Sequence, residues 1–321
     1  MIAVTPPMTR TPLHLGTLQR AGKLFLALML TLGICLGTAG IGAGQAAAEL
    51  PGPTDGGRAI ITESTTEEVA AGITQSHYER IDPEGRNRID VLEVDLSRNT
   101  PNYLDTGKVA GVGTVSSMVE AEDADFAVNG DFFDINNSGA PLGNGVDAGQ
   151  ARTSANSEYA PKSVMIDNDR LGTIADLILD GTVSFGGDDH ELLGLNVQKM
   201  ADGMAVYDEN WGTFPLGRSL DGAEGFAIAL GPNGEVTRTE VDLAGEAAIG
   251  AGERVVMARG TEAIEALQTL AVGDRADIEI GASAEDLQVA VGGHYQVAQD
   301  GRPIEEAEDP LITTMHPRTA V

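Results

Sequence analysis

From Arg88 onward the chain is a series of short apolar runs separated by glycine-containing turns, and this punctuation limits the possible folds more than any other feature. Runs at 88–96, 164–166, 173–185, 226–230, 253–258 and 276–280 are alternating or continuously apolar, as half-buried and fully buried strands are. Asp180-Gly181, Asn233-Gly234 and Asp300-Gly301 supply hairpin signals, and Asn233-Gly234, between "FAIALGP" and "EVTRTEV", is the clearest of them. Two segments carry a helical period instead. At 114–121, Thr114 can cap while Val115, Met118 and Val119 share a face; at 261–271, Ile264, Leu267 and Ala271 recur at helical spacing and Gly273 stops the helix. The expected class is α+β, a β-rich fold with a mostly antiparallel or mixed sheet and a few helices.

The first 48 residues do not follow this pattern. Arg20 and Lys23 precede an apolar and small-residue run at 24–44, and Ala46-Ala47-Ala48 offers the small-x-small site of a cleaved export signal. The organisation expected is a signal peptide at 1–48, a linker with an N-terminal β segment at 49–87, and one folded domain at 88–321. Cys35 is the single cysteine and lies inside the apolar run, so a cleaved chain has no disulfide, no thiolate metal site and no cysteine nucleophile. Secretion is the expected localisation, with no membrane attachment once the signal is removed; the alternative is that the apolar run stays uncleaved as a membrane anchor.

The formal net charge is −29, and none of the 49 acidic residues precedes Glu49. Such a surface repels nucleic acid and anionic membranes. Other chemistries lack their residues: there is no GxSxG elbow, no phosphate-binding P-loop and no GxGxxG opening a helix. His190-Glu191 runs into Leu192-Leu193-Gly194, where a zinc-protease helix needs a second histidine. Residues 134–139, "DINNSG", imitate the first half of a calcium loop, yet Gly145 stands where the bidentate glutamate belongs. A turn rich in Asx hydrogen bonds is the better account. The expected cofactor set is therefore none, with calcium as the one alternative.

"FAVNGDFFDINNSGAPLGNG", at 126–145, carries the chemistry. Phe126-Ala127-Val128 reads as a buried strand, which puts Asn129 and Gly130 at a strand end, where side chains and amides face a cleft. Phe132 and Phe133 are expected to anchor the next turn in the core while Asp131 and Asp134 stay in water. Near the other end, "HPRTAV" at 316–321 contributes Arg318, whose guanidinium fork suits a phosphate.

Taken in order, "VNGDFF", "GAPLG", a loop through Asp147, "VGGHYQVAQDG" and "HPRTA" resemble the phosphodiester glycosidase family, with looser similarity through "LLGLN" and "YDENWG". The resemblance covers most of the chain after Arg88. It implies hydrolysis of a sugar-1-phosphodiester, with Asp131, Asp134, Asp147, His316 and Arg318 as catalytic candidates. Asn129, Gly130, Gly143, Asn196, Gly293 and Thr319 are the implied substrate-binding positions. The family continues past its HPRT element with a strand, a helix and a glycine-rich aspartate loop, so the resemblance also implies a domain incomplete at its C-terminus. The expected partner is a sugar phosphodiester or polysaccharide, drawn from cell-wall or exopolysaccharide material. Arg152, Lys162 and Arg218 could join Arg318 in a local positive island. The competing reading is a carbohydrate-binding or wall-associated module with the same fold and no catalysis.

Overall fold

The structure is a computed structural model that describes residues 2–5, 59–83, 85–155, 162–303, 314 and 317–321. The apolar run at 24–44 and His316 lie outside the described residues. The chain divides into two compact units, one holding Met8–Val94 and the other the remainder.

Strand β1 (Ile2–Thr5) belongs to the larger unit. The smaller unit is a meander of β2 (Ile60–Ala70), β3 (Ile73–Asp82) and β4 (Gly85–Val94), paired antiparallel along their lengths. Because β4 pairs with β3 from Asp82↔Gly85 to Ile73↔Val94, the unit boundary falls at Val94, seven residues after the position expected from the sequence.

In the larger unit, β5 (Thr100–Tyr103) and β6 (Phe126–Val128) flank β1, antiparallel on both sides. Ile2, Ala3 and Val4 are buried there, so residues inside the segment read as an export signal form the central strand of this sheet. Helix α1 (Val115–Glu122) lies between β5 and β6 in sequence. Its Thr114 hydroxyl accepts from the Ser117 amide at 3.1 Å, the capping bond expected, and Asp123 closes it in a left-handed conformation.

Five further strands, β7 (Gly145–Asp147), β8 (Gln150–Thr153), β9 (Lys162–Asp167), β10 (Gly172–Asp176) and one nearer the C-terminus, Leu287–Gly292, make the second sheet. The largest sheet takes β11 (Leu179–Phe185), β12 (Asp188–Leu195), β13 (Gly203–Asp208), β14 (Gly225–Leu230), β15 (Val236–Arg238), β16 (Arg254–Arg259) and β17 (Asp277–Ala282) in the order β15-β14-β16-β13-β12-β11-β17. Among the described residues only β12 and β13 run parallel. Helix α2 (Thr261–Leu267) packs against β14 and β16 and ends four residues earlier than its periodicity suggests. The protein is β-rich, with mostly antiparallel and mixed sheets and two α-helices among the described residues.

The core explains the continuous apolar runs. Along β13, Ala205 and Tyr207 enter one cluster with Trp211, Leu216 and Met257, while Met204 and Val206 enter another with Val183, Ile228 and Leu267. A strand covered on both faces has no polar alternation to show. Trp211 is fully buried and donates its indole N–H to the Phe214 carbonyl at 2.8 Å, so it is a core residue; its truncation to alanine would cost about 3–5 kcal/mol.

The sequence signals divide according to what surrounds each glycine. Gly234, with φ +79°, turns the chain from β14 to β15, and Asp300-Gly301 turns a short hairpin between Ala298–Gln299 and Arg302–Pro303. Asp180-Gly181 instead lies inside β11, where a Cβ on Gly181 would meet the Glu279 carbonyl oxygen at 2.4 Å. That glycine lets β17 approach, and Gly186-Gly187 make the turn. The apolar run at 173–185 correspondingly breaks at Leu177 and Ile178 into β10 and β11.

Candidate functional site

β5 and β6 end beside one another across β1, and both open into a cavity of about 380 Å³. Tyr103, Leu104 and Asp105 enter it from the end of β5, and Asn129, Gly130 and Asp131 from the end of β6. Pro317, Arg318 and Thr319 also line it. The turn after Val128 and the arginine near the carboxyl end therefore share one cleft. Polar groups that converge in a concave site are what ligand recognition requires.

Asp131 is seated on glycine. Its Oδ1 accepts from the Phe132 amide at 2.7 Å and its Oδ2 from the Gly143 amide. A Cβ on Gly143 would lie 2.7 Å from Oδ2 and 3.1 Å from the Gly292 Cα; one on Gly292 would lie 2.8 Å from the same oxygen. Backbone from two separate segments thus packs against this carboxylate, and any side chain there would push it away. Gly143 holds the acid, which differs from the substrate-binding role the resemblance implies. Gly145 does the same for Tyr103, whose hydroxyl would stand 2.8 Å from a Cβ at that position.

Tyr103 is 7% exposed, and burial pushes its phenol well above the ordinary range, with Asp105 and Asp131 adding to the shift. It stays neutral at any physiological pH, a hydrogen-bond donor beside two acids. Asp105 is paired with Arg152 at 2.9 Å, and Arg152 also donates to the Asn210 side chain at 2.6 Å. Burial works against the Arg152 charge, but the Asp105 contact outweighs it and raises the arginine pKa. The network continues through Asn210 to Asp208 at 3.0 Å and from Asp208 to Asn196 at 2.7 Å. Val109 and Ala110 donate their amides to the Asn210 and Trp211 carbonyls, so the "YDENWG" segment fixes the loop that walls the cavity.

The other sequence candidates sit elsewhere. Asp134 is outside the cavity lining, and its Oδ2 accepts from Asn137 at 2.9 Å, from the Ser138 amide at 3.1 Å and from the Ser138 hydroxyl at 3.0 Å. That carboxylate is committed to a turn, as the Asx reading of "DINNSG" expects. Asp147 also lies outside the lining; its Oδ1 accepts from the Tyr103 amide at 3.1 Å and ties β7 to β5. Asn196 is fully buried at φ +51° and bonded to Arg152 and Asp208, so it supports Arg152 from behind and has no surface to offer a substrate. Gly293 donates its amide to Lys162 and is likewise not in the lining. Among the described residues no group of three or more His, Cys, Asp or Glu is placed to hold a metal ion.

The positive island is not assembled as expected. Arg152 is engaged with Asp105, Lys162 with Asp176 at 2.8 Å, and Arg218 with the Asn137 side chain at 3.0 and 2.9 Å. Among the described residues Arg318 is the cation in the lining, and its guanidinium donates to the Thr314 carbonyl at 3.0 Å. Phe132 and Phe133 also depart from expectation: they are 47% and 44% exposed and line the cavity in place of anchoring the core. Phe132 meets His294 edge-on with ring centroids 5.7 Å apart. Tyr103 and Asp105 are the lining residues the sequence did not single out; His294 lies outside the lining.

No family model matches the chain, and no curated protein matches it. Among the described residues no helix is long and apolar enough to cross a membrane. Two solved structures share the fold. A hypothetical protein from Synechocystis superposes with a TM-score of 0.62 at 17% identity, over 76% of this chain and 46% of that one. A protein from Burkholderia pseudomallei K96243 described as exported superposes with a TM-score of 0.57 at 15% identity, over 76% of this chain and 73% of that one. This chain thus spans less than half the length of the Synechocystis protein it is similar to, and at these identities the likeness is one of fold.

Proposed function

We propose that this protein is a secreted hydrolase that cleaves sugar-1-phosphodiester linkages. The observation that carries this reading is the convergence of Asn129, Gly130 and Asp131 with Arg318 and Thr319 on one cavity. Arg318 and Thr319 hold the phosphate, and Asn129 and the Gly130 amide take sugar hydroxyls. Asp131, with Gly143 and Gly292 packed behind it, faces the anomeric carbon.

In the reaction a water oxygen bonds to the anomeric carbon as the bond from that carbon to the phosphate oxygen breaks. The electron pair leaves on the phosphomonoester, and the proton lost by water passes to the carboxylate and then to solvent. Because the second pKa of a phosphate monoester is about 6, the leaving group needs little protonation. Holding its charge matters more than giving it a proton, which is a role for an arginine and not for a buried acid. Positive charge developing on the sugar is stabilised by Asp131. Export is supported by the signal-like residues 20–48 and agrees with the description of the Burkholderia structure, whereas cleavage after Ala48 would remove the Ile2–Thr5 strand on which β5 and β6 pair.

The test is release of phosphomonoester from a panel of sugar-1-phosphate methyl esters. Arg318→Ala is expected to lower turnover by about a hundredfold or more, as loss of a single charge-stabilising donor does. A protein that binds these esters and never releases phosphomonoester would instead be the carbohydrate-binding module.

A further inference from the structure

The cavity is not polar throughout. Its remaining wall comes from the loop and helix after β5 and from the turn after β6: Val112, Val115, Met118, Phe132, Phe133 and Pro141. Val112 is 70% exposed and the two phenylalanines nearly half exposed, in a chain where aromatic residues make up 4% and the formal charge is −29. Gly139, at φ +73°, lets the turn close on this loop, since a Cβ there would meet a Val112 methyl at 2.6 Å and the Gly111 carbonyl at 2.8 Å. The turn and the Val112 loop therefore approach too closely for a side chain at Gly139. An apolar wall beside one cation describes a ligand with an anionic group and an apolar group.

We propose that the alcohol on the far side of the phosphate is apolar, so that the substrates are glycosyl phosphodiesters of alkyl, prenyl or aryl alcohols. The inference rests on the hydrolase reading and adds the class of the leaving group. A sugar is polar over most of its surface and belongs with Asn129, Gly130 and Asp131; the phosphate belongs with Arg318; what remains for the apolar wall is the second ester arm.

The phosphomonoester product carries that arm, so ethyl phosphate and hexyl phosphate can probe it by calorimetry without turnover. Hexyl phosphate is expected to bind about tenfold or more tightly, because its four further methylenes leave water in part. Arg318→Ala should weaken both ligands. Val112→Ser with Phe133→Ser should erase the preference for the longer chain while affecting ethyl phosphate far less, and since both side chains are exposed the melting temperature serves as the check on folding. Equal affinity for the two probes overturns the proposal; if polar sugar-1-phosphate methyl esters are still hydrolysed, the hydrolase reading survives that failure. Binding of neither probe, with no hydrolysis of any ester, overturns both. A dimer that Val112→Ser dissociates, with no dependence on chain length, would show the wall to be covered by a second copy and also overturns the proposal.

Discussion

Asp131 and Asp134 stand three residues apart on one loop, and the structure uses them in opposite ways. Asp131 accepts from the neighbouring Phe132 amide but also from the Gly143 amide twelve residues on, leaves no room for a side chain at Gly143 or Gly292, and lines the cavity. Asp134 is occupied by its own local turn through Asn137 and Ser138 and lies outside the lining. A carboxylate bonded by its immediate neighbours stabilises a local conformation. One supported by long-range contacts, with a face turned to a cleft, is available for chemistry.

The sharpest way to break that comparison is to neutralise each acid. Asp131→Asn is expected to reduce hydrolysis by roughly a hundredfold to a thousandfold, the effect of removing one preorganised charge from a transition state, with little change in melting temperature. Asp134→Asn should leave the rate within about tenfold and act mainly on stability. If the two variants lose rate equally, the division between them is wrong. Second in size is the seat itself: Gly143→Val would drive a side chain into Asp131 and the Gly292 backbone, costing about 1–3 kcal/mol as overpacking does, and lowering the rate together with stability. A Gly143→Val protein with full activity would show that the cradle is not needed.

Next comes the support behind Asp105. Arg152 is about one-fifth exposed and Asp105 less, so Arg152→Ala leaves a mostly buried carboxylate without its cation. Chemical denaturation should register a loss of about 3 kcal/mol, near the lower end for a broken buried pair. Arg152→Met, of similar length but without charge, should be no better, because the stranded acid and not the lost volume sets the cost. Recovery of stability in the Arg152→Met variant would assign the role of Arg152 to packing.

How much of this could be seen in the sequence depended on how local each signal was. "VNGDFF" follows a short apolar run, so Asn129, Gly130 and Asp131 could be placed at a strand end, and Arg318 stood out in a chain of 49 acids and 20 bases. Asp105 had no such context: in "TPNYLDTG" it is one acid among many, and what distinguishes it is an arginine 47 positions away. The same limit applies to the fold. Asp180-Gly181 and Asn233-Gly234 look alike on paper, but the first glycine admits a neighbouring strand and the second turns a hairpin. The strand Ile2–Thr5 lies inside the segment read as an export signal, and pairing partners about a hundred residues later gave no local sign of it.

The smallest effect tests the local half of the comparison most directly. Arg218 donates two hydrogen bonds to the Asn137 side chain, and Asn137 in turn donates to Asp134, so the turn is braced from outside by an exposed arginine. Exposed contacts of this kind contribute little, and Arg218→Ala should cost no more than about 1 kcal/mol. If the turn serves Asp134 alone, the Arg218→Ala and Asp134→Ala effects will be coupled in a double-mutant cycle, while Arg218→Ala and Asp131→Asn, which share no partner, will add. Coupling of Arg218 to Asp131 in the hydrolysis rate would mean that the brace reaches the cavity after all, and the loop would then have to be treated as one functional unit with both acids inside it.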